Sequence, residues 1–505
     1  MISLRKLFSA ALLLISAPLF AQSYSAEVRG LVTDPSRAVI GGAKVTLLDE
    51  TKHVSRVAVS DGAGLYVFTQ VDPAGYQVIV ESPGFKRFAR GGIVVGTQQS
   101  VTVDVLLEIG DASQTVEVSG GTPLLDTTNG STSTALEEEK LLDLPTSSGN
   151  GRNQYTVINV SQNVLPVIRG SGFIDQSDTS TVSIAGSPES TNQYLIDGVP
   201  ITDTVNRPTI IPATEATQEL KVQVTTYDAE VGRTGGGVYN TLLKSGTNSL
   251  HGSLYGVTSQ SDFNANSFFF NRDGIARPDI PFYSYAGSIG GPVVIPHLYH
   301  GRNKTFFFFA EEGFRERNFL SSNYQVPTDL ERTGDFSQSF VLNGGAQVPI
   351  TIYNPQTRQP FANNIIPSGQ ISTVGQNIVN YFPHANLKGL ASGSVNYTLP
   401  APGPEDRGDE FVGKLDHQFF KWWAANVSYL HYGSLIPFGN ALGTVPGSGS
   451  ITYDRHVDAT QLNNIFTINP TTVLSVRFGF NRFPNTILPL SKNFSPTNLG
   501  LPAYN

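Results

Sequence analysis

At 505 residues the chain exceeds one ordinary domain and predicts roughly two to four. Charged residues are 15 % of the chain, against about 25 % in average soluble domains, while glycine (50) and aromatic residues (10 %) are plentiful, a mixture that suits a turn-rich β protein with a large amphipathic surface. The net charge of −8 argues against nucleic acid as the main partner, and the lack of cysteine excludes disulfides, thiolate metal sites and a cysteine nucleophile.

The N-terminus reads as a secretory signal peptide, residues 1–21. Arg5 and Lys6 precede an apolar run from Leu7 to Phe20, too short to cross a bilayer as a helix, and Ala21 supplies a small residue for cleavage. No later stretch approaches ~20 uninterrupted apolar residues. The mature protein is therefore expected to be released, surface-attached, or inserted as a β-barrel.

Residues 26–108 alternate in the manner of short strands: EVRGLVTD, AKVTLLDE, VSRVAVS, LYVFTQV, GYQVIVES and QSVTVDVLLE. Turn residues separate them at Asp34-Pro35, Gly41-Gly42, Asp61-Gly62-Ala63-Gly64, Asp72-Pro73 and Ser82-Pro83-Gly84. About seven such strands predict a small β-sandwich. The order of these motifs resembles the carboxypeptidase regulatory-like domain, which is not catalytic despite its name. The resemblance implies a structural or docking role, and no exposed aromatic cluster suggests sugar binding. A linker, Gly110–Gly121, follows, with Thr115-Val116-Glu117-Val118 as a short extended run that reads as linker or as a last sandwich strand.

From Thr122 to Thr247 the chain turns polar and glycine-rich. Leu136, Lys140 and Leu144 fall four apart before Pro145, which predicts a helix over Ser133–Leu144. Asp197-Gly198 between Leu195-Ile196 and Val199 predicts a hairpin turn. Leu220–Gly256 reads as a strand, a glycine-rich return (Gly232, Gly235, Gly236, Gly237) and a further strand, punctuated by Lys244-Ser245-Gly246-Thr247-Asn248. A phosphate loop needs glycine before the Lys-Ser pair, and Leu243 stands there instead. Taken in order, Arg169-Gly170, Tyr194–Pro200, VQV at 222–224, the Tyr227–Gly237 run with Arg233, and Lys244–Asn248 resemble the plug of TonB-dependent outer-membrane receptors. The resemblance makes Lys244–Asn248 the hinge from plug to barrel and lets the glycines pack against the barrel wall. It also makes Thr115–Val118 the candidate segment gripped by TonB, since an extended strand can add to a partner's sheet edge.

After Asn248 a meander with period two is predicted. Leu474, Val476, Phe478 and Phe480 alternate with Ser475, Arg477, Gly479 and Asn481, and Phe411 and Leu415 alternate with Val412, Lys414 and Asp416. Aromatic side chains at strand ends (Tyr283, Phe411, Trp422, Trp423, Phe480) suit a membrane girdle. About seven strands are expected, near 249–259, 282–291, 304–314, 408–417, 421–432, 456–467 and 472–482. Short links alternate with long ones, so the longest, Arg315–Arg407, is expected to lie outside over the pore mouth and to be partly mobile. An odd number of strands leaves an edge open in lipid, so the sequence is expected to be the N-terminal part of a longer protein whose barrel has ~22 strands.

Catalytic patterns are missing. No serine has glycines at −2 and +2, His297 and His300 sit in a turn without carboxylates, and no histidine begins an H-x-x-E motif. Glu137-Glu138-Glu139 and Glu311-Glu312 read as solvated faces, and Arg407-Gly408-Asp409 as a chance tripeptide at a loop–strand junction. The expected fold is mainly β: sandwich (26–108), linker (110–121), α+β plug (122–247) and incomplete antiparallel transmembrane barrel (248–505). The whole resembles an Oar-like TonB-dependent receptor of the cell outer membrane. That resemblance implies TonB and its inner-membrane motor as partners, contact with outer-membrane lipid, an unidentified extracellular substrate and no cofactor. The rival expectation is a surface adhesin or carbohydrate binder built of β display modules.

Overall fold

The computed structural model describes residues 26–503 except 112–114, 119–131, 145–146, 149–150, 161–163, 167–181, 189, 205, 226–231, 233, 273, 275, 278, 388–394, 438–441, 443–450 and 470–471. The signal peptide, Arg169-Gly170, Tyr227–Val231 and Arg233 lie outside the described residues.

The first body is a β-sandwich. One sheet contains Leu65–Val71, Ala26–Thr33 and Ser100–Thr102, with Val105–Leu106 continuing along Ala26–Thr33. The other runs Ser55–Val59, Lys44–Asp49, Ala74–Glu81, Arg87–Val95 and Thr115–Val118. Alternation fixes the register: along Ala26–Thr33 every second residue is buried, and Val28, Val45, Leu47, Phe68, Val78 and Val101 meet in one core. The strand Arg87–Val95 was not among the predicted runs. Gly91 and Gly92 interrupt its alternation, Gly92 has a φ of 68°, and the pairing with Ala74–Glu81 slips there.

The middle body is a mixed sheet ordered Thr132–Glu137, Thr217–Thr225, Val238–Leu243, Gln193–Ile196, Val199–Pro200. Val238–Leu243 lies at its centre, buried along its whole length, antiparallel to one neighbour and parallel to the other. The predicted helix is only half present. Thr132–Glu137 is a strand paired with Thr217–Thr225, and the helix is Glu138–Asp143. Ser133 and Thr134 have no helical advantage to set against a full ladder of cross-strand hydrogen bonds. Asp197-Gly198 forms the expected hairpin, with positive φ at both positions (46° and 77°) and Ile196 opposite Val199.

The third body is a curved antiparallel sheet in sequence order: His251–Ser259, Phe282–Pro292, Thr305–Tyr324, Tyr397–Phe420, Trp423–Pro437, Ile451–Asn469 and Thr472–Arg482. Asn485–Pro489 pairs with the start of Ile451–Asn469. These are the seven strands expected, but several are longer, and the Thr305–Tyr324/Tyr397–Phe420 hairpin runs on to Tyr324 opposite Tyr397. The sheet does not close: His251–Ser259 and Thr472–Arg482 are its two edges. Its outer face carries Phe309, Phe411, Leu415, Val427, Leu462, Val476, Phe478 and Phe480, all exposed, whereas Phe308, Ala310, Val412, Leu430 and Ala459 on the inner face are buried against the mixed sheet. An exposed apolar band this broad is what lipid, rather than water, would cover. Phe419, Phe420, Trp422, Trp423 and Phe466 stack at one rim. Among the described residues no helix is long and apolar enough to cross a membrane.

Within the long link between Thr305–Tyr324 and Tyr397–Phe420, residues 325–387 are tied together by polar contacts. Thr328 and Glu331 form a reciprocal capping box, the Arg332 guanidinium donates to the carbonyls of Val379, Phe382 and Pro383, and the Asn364 amide donates to Phe336 and Ile350. Polar side chains here make the contacts that an apolar core makes elsewhere.

Gly235, Gly236 and Gly237 pack against Ile184, Ser187, Thr191 and Asn192 and not on the barrel wall as expected. A Cβ at Gly237 would lie 2.6 Å from Ile184 and 2.9 Å from the Gln223 carbonyl, whereas at Gly235 it would meet only Thr191 at 3.8 Å. In the full-length protein, Gly237→Val is expected to cost ~1–3 kcal/mol and lower the yield of assembled, heat-modifiable protein. Gly235→Ala is expected to stay within ~0.5 kcal/mol, and equal loss in both variants would contradict this packing.

Candidate functional site

The site is the seam where the mixed sheet is held against the inner face of the curved sheet. Strand pleating puts Glu312, Glu410 and Lys414 on that inner face, in line with the buried Ala310 and Val412 and opposite in direction to the exposed Phe309, Phe411 and Leu415. A charge there has no water to turn to and requires a partner from the mixed sheet.

Each finds one. The Arg152 guanidinium donates to both carboxylate oxygens of Glu312 at 2.8 Å, lies 3.5 Å from Glu215, and stacks 4.0 Å over the Tyr255 ring. Glu312 also accepts the Thr214 amide at 3.0 Å, and Glu410 accepts the Ala213 amide at 2.8 Å. These two amides open the turn at Thr214–Ala216, so the wall's carboxylates cap backbone donors that would otherwise be buried unpaired. Glu215 accepts from the Ser253 hydroxyl at 2.6 Å, tying the same turn to the first wall strand.

A second anchor uses the hairpin. The Lys414 ammonium donates to Asp197 at 2.9 Å and to the Leu243 carbonyl at 3.1 Å, while the other oxygen of Asp197 accepts the Leu243 amide. Asp197 is 2 % exposed and Lys414 7 %, so the pair is shielded from water. The hairpin thus directs Asp197 to the wall. Behind it, Tyr155, Tyr194 and Tyr239 stack with ring centroids 4.7–5.5 Å apart, and burial pushes all three hydroxyls above the usual tyrosine range.

The remaining sequence-derived residues scatter around this seam. Lys244 pairs with Glu138 at 2.8 Å, and a Cβ at Gly246 would collide with the backbone of Phe307 and Gly291, so the chain passes close along the wall at that point. Among the described residues nothing lies within 4 Å of a Cβ built at Gly232, and Gly236 packs against Ser187 and Asn192. Thr115–Val118 lies apart from the seam, paired in parallel with Arg87–Arg90 at the sandwich edge. Asp409 of the Arg-Gly-Asp tripeptide sits within a wall strand, bound by Arg315 at 2.9 and 3.0 Å. Glu312 is a correction: it is buried and paired, not solvated.

Sequence reasoning missed Arg152, Glu215 and Glu410, read Glu312 as solvated, and singled out Asp197 without seeing its pairing with Lys414. The signal was available for the wall residues. Charges on the polar face of a strand whose other face is aromatic point into a lumen, where charge needs an answer.

The sandwich touches the same sheet from the other side. The Lys221 ammonium donates to the carbonyls of Thr97 (2.6 Å) and Gln98 (3.3 Å), and Glu219 accepts the Thr97 amide. Burial raises the Glu219 carboxyl above its ordinary range, and the Thr97 amide and Lys221 draw it partly back. Among the described residues no cluster of His, Asp or Glu could hold a metal ion.

Residues 242–505 match the model of the outer membrane beta barrel domain family. The chain belongs to that family. Residues 27–108 match the carboxypeptidase regulatory-like domain. The TonB-dependent transporter Oar of Myxococcus xanthus is 28 % identical over 344 residues, which are 67 % of this chain and 32 % of that protein. The chain therefore spans about a third of the length of that relative. The outer membrane transporter YddB of Escherichia coli is similar with a TM-score of 0.43 at 13 % identity, over 70 % of this chain and 39 % of that one. The siderophore receptor PirA of Pseudomonas aeruginosa gives 0.38 at 11 %, over 70 % and 41 %. The family places the protein in the outer membrane.

Lys414→Met leaves Asp197 buried without its cation and is expected to destabilise the full-length protein by ~3–5 kcal/mol. Lys414→Met with Asp197→Asn is expected to recover more than half of that loss in thermal unfolding. Additive losses would show that the two residues are not coupled.

Proposed function

We propose that this chain is the N-terminal part of a TonB-dependent transporter that moves a substrate across the outer membrane and does no chemistry on it. The observation that carries the reading is the buried set of wall-to-sheet anchors, Arg152–Glu312 and Lys414–Asp197, which fill the concave side of a membrane-type sheet with a separate polar body. A body held by charge and hydrogen bonds, with only a modest apolar seam, seals a lumen and can still be remodelled. The relative's name, TonB-dependent transporter, supports the same reading.

On this reading the mixed sheet is the plug, within residues 122–247, and Thr115–Val118 in the 110–121 linker is the strand that TonB grips. Residues 248–505 begin the barrel, with its aromatic band in outer-membrane lipid and residues 325–387 above the pore mouth. The periplasmic domain of TonB is expected to bind the full-length receptor, and Val116→Pro is expected to abolish that binding, because proline removes a backbone donor from the added strand. A receptor that assembles in the outer membrane and never binds the TonB domain would sink the proposal.

A further inference from the structure

We propose that the β-sandwich is a periplasmic cap, docked on the hinge between plug and barrel, and that it undocks before a path past the plug opens to the periplasm. This rests on the transporter reading for which side faces the periplasm. Beneath the hinge lies a cavity of about 360 Å³. Its roof is Leu243–Thr247, one wall is formed by Ser253, Phe308 and Lys414, and the sandwich supplies the floor through Asp49, Thr51, Lys52 and Asp72–Gly75.

The docking falls on the point where the chain leaves the plug. The Asn248 amide N–H donates to the Thr51 carbonyl at 3.2 Å, and its side chain donates to the Lys52 carbonyl at 2.6 Å and to Asn303 at 2.7 Å. Lys52 faces Asp416 of the wall at 3.7 Å. On the plug, Gln218 donates to the Pro73 carbonyl and Lys221 to those of Thr97 and Gln98. In most of these hydrogen bonds the plug and hinge supply the donors, and the sandwich offers backbone carbonyls. Water can replace such hydrogen-bond partners on both sides, which is the character of a contact that can be released.

The contact also stands across the force path. Thr115–Val118 is the sandwich's edge strand, so a pull on it loads the sandwich sheet first. The cap would be shed before the hinge is strained.

The test uses the full-length protein in native outer membranes. Ser245→Cys places a thiol in the cavity roof. Its reaction with a maleimide carrying a bulky polyethylene glycol is expected to be slow, and adding Lys221→Met with Asn248→Ala is expected to speed it about tenfold or more, the loss of a charge-assisted hydrogen bond. Equal rates in the two backgrounds would overturn the cap. Should the loosened variant fail to assemble, Thr51→Cys with Asn248→Cys reads the same contact, since the Asn248 amide donates to the Thr51 carbonyl and that backbone bond survives both substitutions. Cross-linking is expected in resting cells and is expected to fall in energised cells carrying TonB. Unchanged yield would equally overturn the proposal. The labelling result is a property of the resting protein, so failure of TonB binding would remove the transporter reading and leave the docked cap standing.

Discussion

The constraint on which the rest of this structure depends is that a polar or charged group on the inner wall face, once the mixed sheet covers it, has no solvent. Glu312, Glu410 and Lys414 each stand where strand pleating puts them, and each would be ruinous alone. Their partners come from a different part of the chain, Arg152, the amides of Ala213 and Thr214, and Asp197. The wall and the body inside it are therefore not two units that happen to touch. Either one without the other exposes unpaired buried charge, and this specifies how the mixed sheet sits more tightly than the shared apolar cluster could.

The same choice of bond type has a dynamic consequence. Apolar burial is non-directional and tolerates sliding, whereas bidentate Arg–carboxylate pairs and capped amides hold one geometry or none. A lumen body fastened this way is rigid until its anchors let go. The tyrosine stack of Tyr155, Tyr194 and Tyr239 gives it a small firm core of its own, so it can shift as a piece or open from the edges inward. Glycine plays a narrower part than its abundance suggests: Gly237 lets two strands and Ile184 meet, and Gly246 lets the chain pass along the wall.

Much of the fold was legible in the sequence because two periodicities carried it. Phe411, Leu415 and the Leu474–Phe480 run announced strands with one apolar face, and Asp197-Gly198 announced its turn through backbone sterics alone. Arg87–Val95 escaped because two glycines broke the period, and Thr132–Glu137 escaped because a spacing of four residues suited a helix as well as a strand paired far along the chain. The anchors were less legible for a plain reason. Arg152 and Glu312 are 160 residues apart, and nothing local in either segment names the other. What the sequence did contain was half of each pair: charges on the inward face of a membrane strand, a fact about alternation that asks for a partner without saying where it lies.

The central claim is that wall carboxylates hold the lumen body by its backbone. Native-state hydrogen exchange in the full-length protein at the amides of Ala213 and Thr214 tests it most directly. The account predicts that these two amides exchange as slowly as those in the middle of the wall strands, although they lie in a short turn between elements. Exchange at the rate of exposed loops would mean that Glu410 and Glu312 do not grip them, and the account would fail.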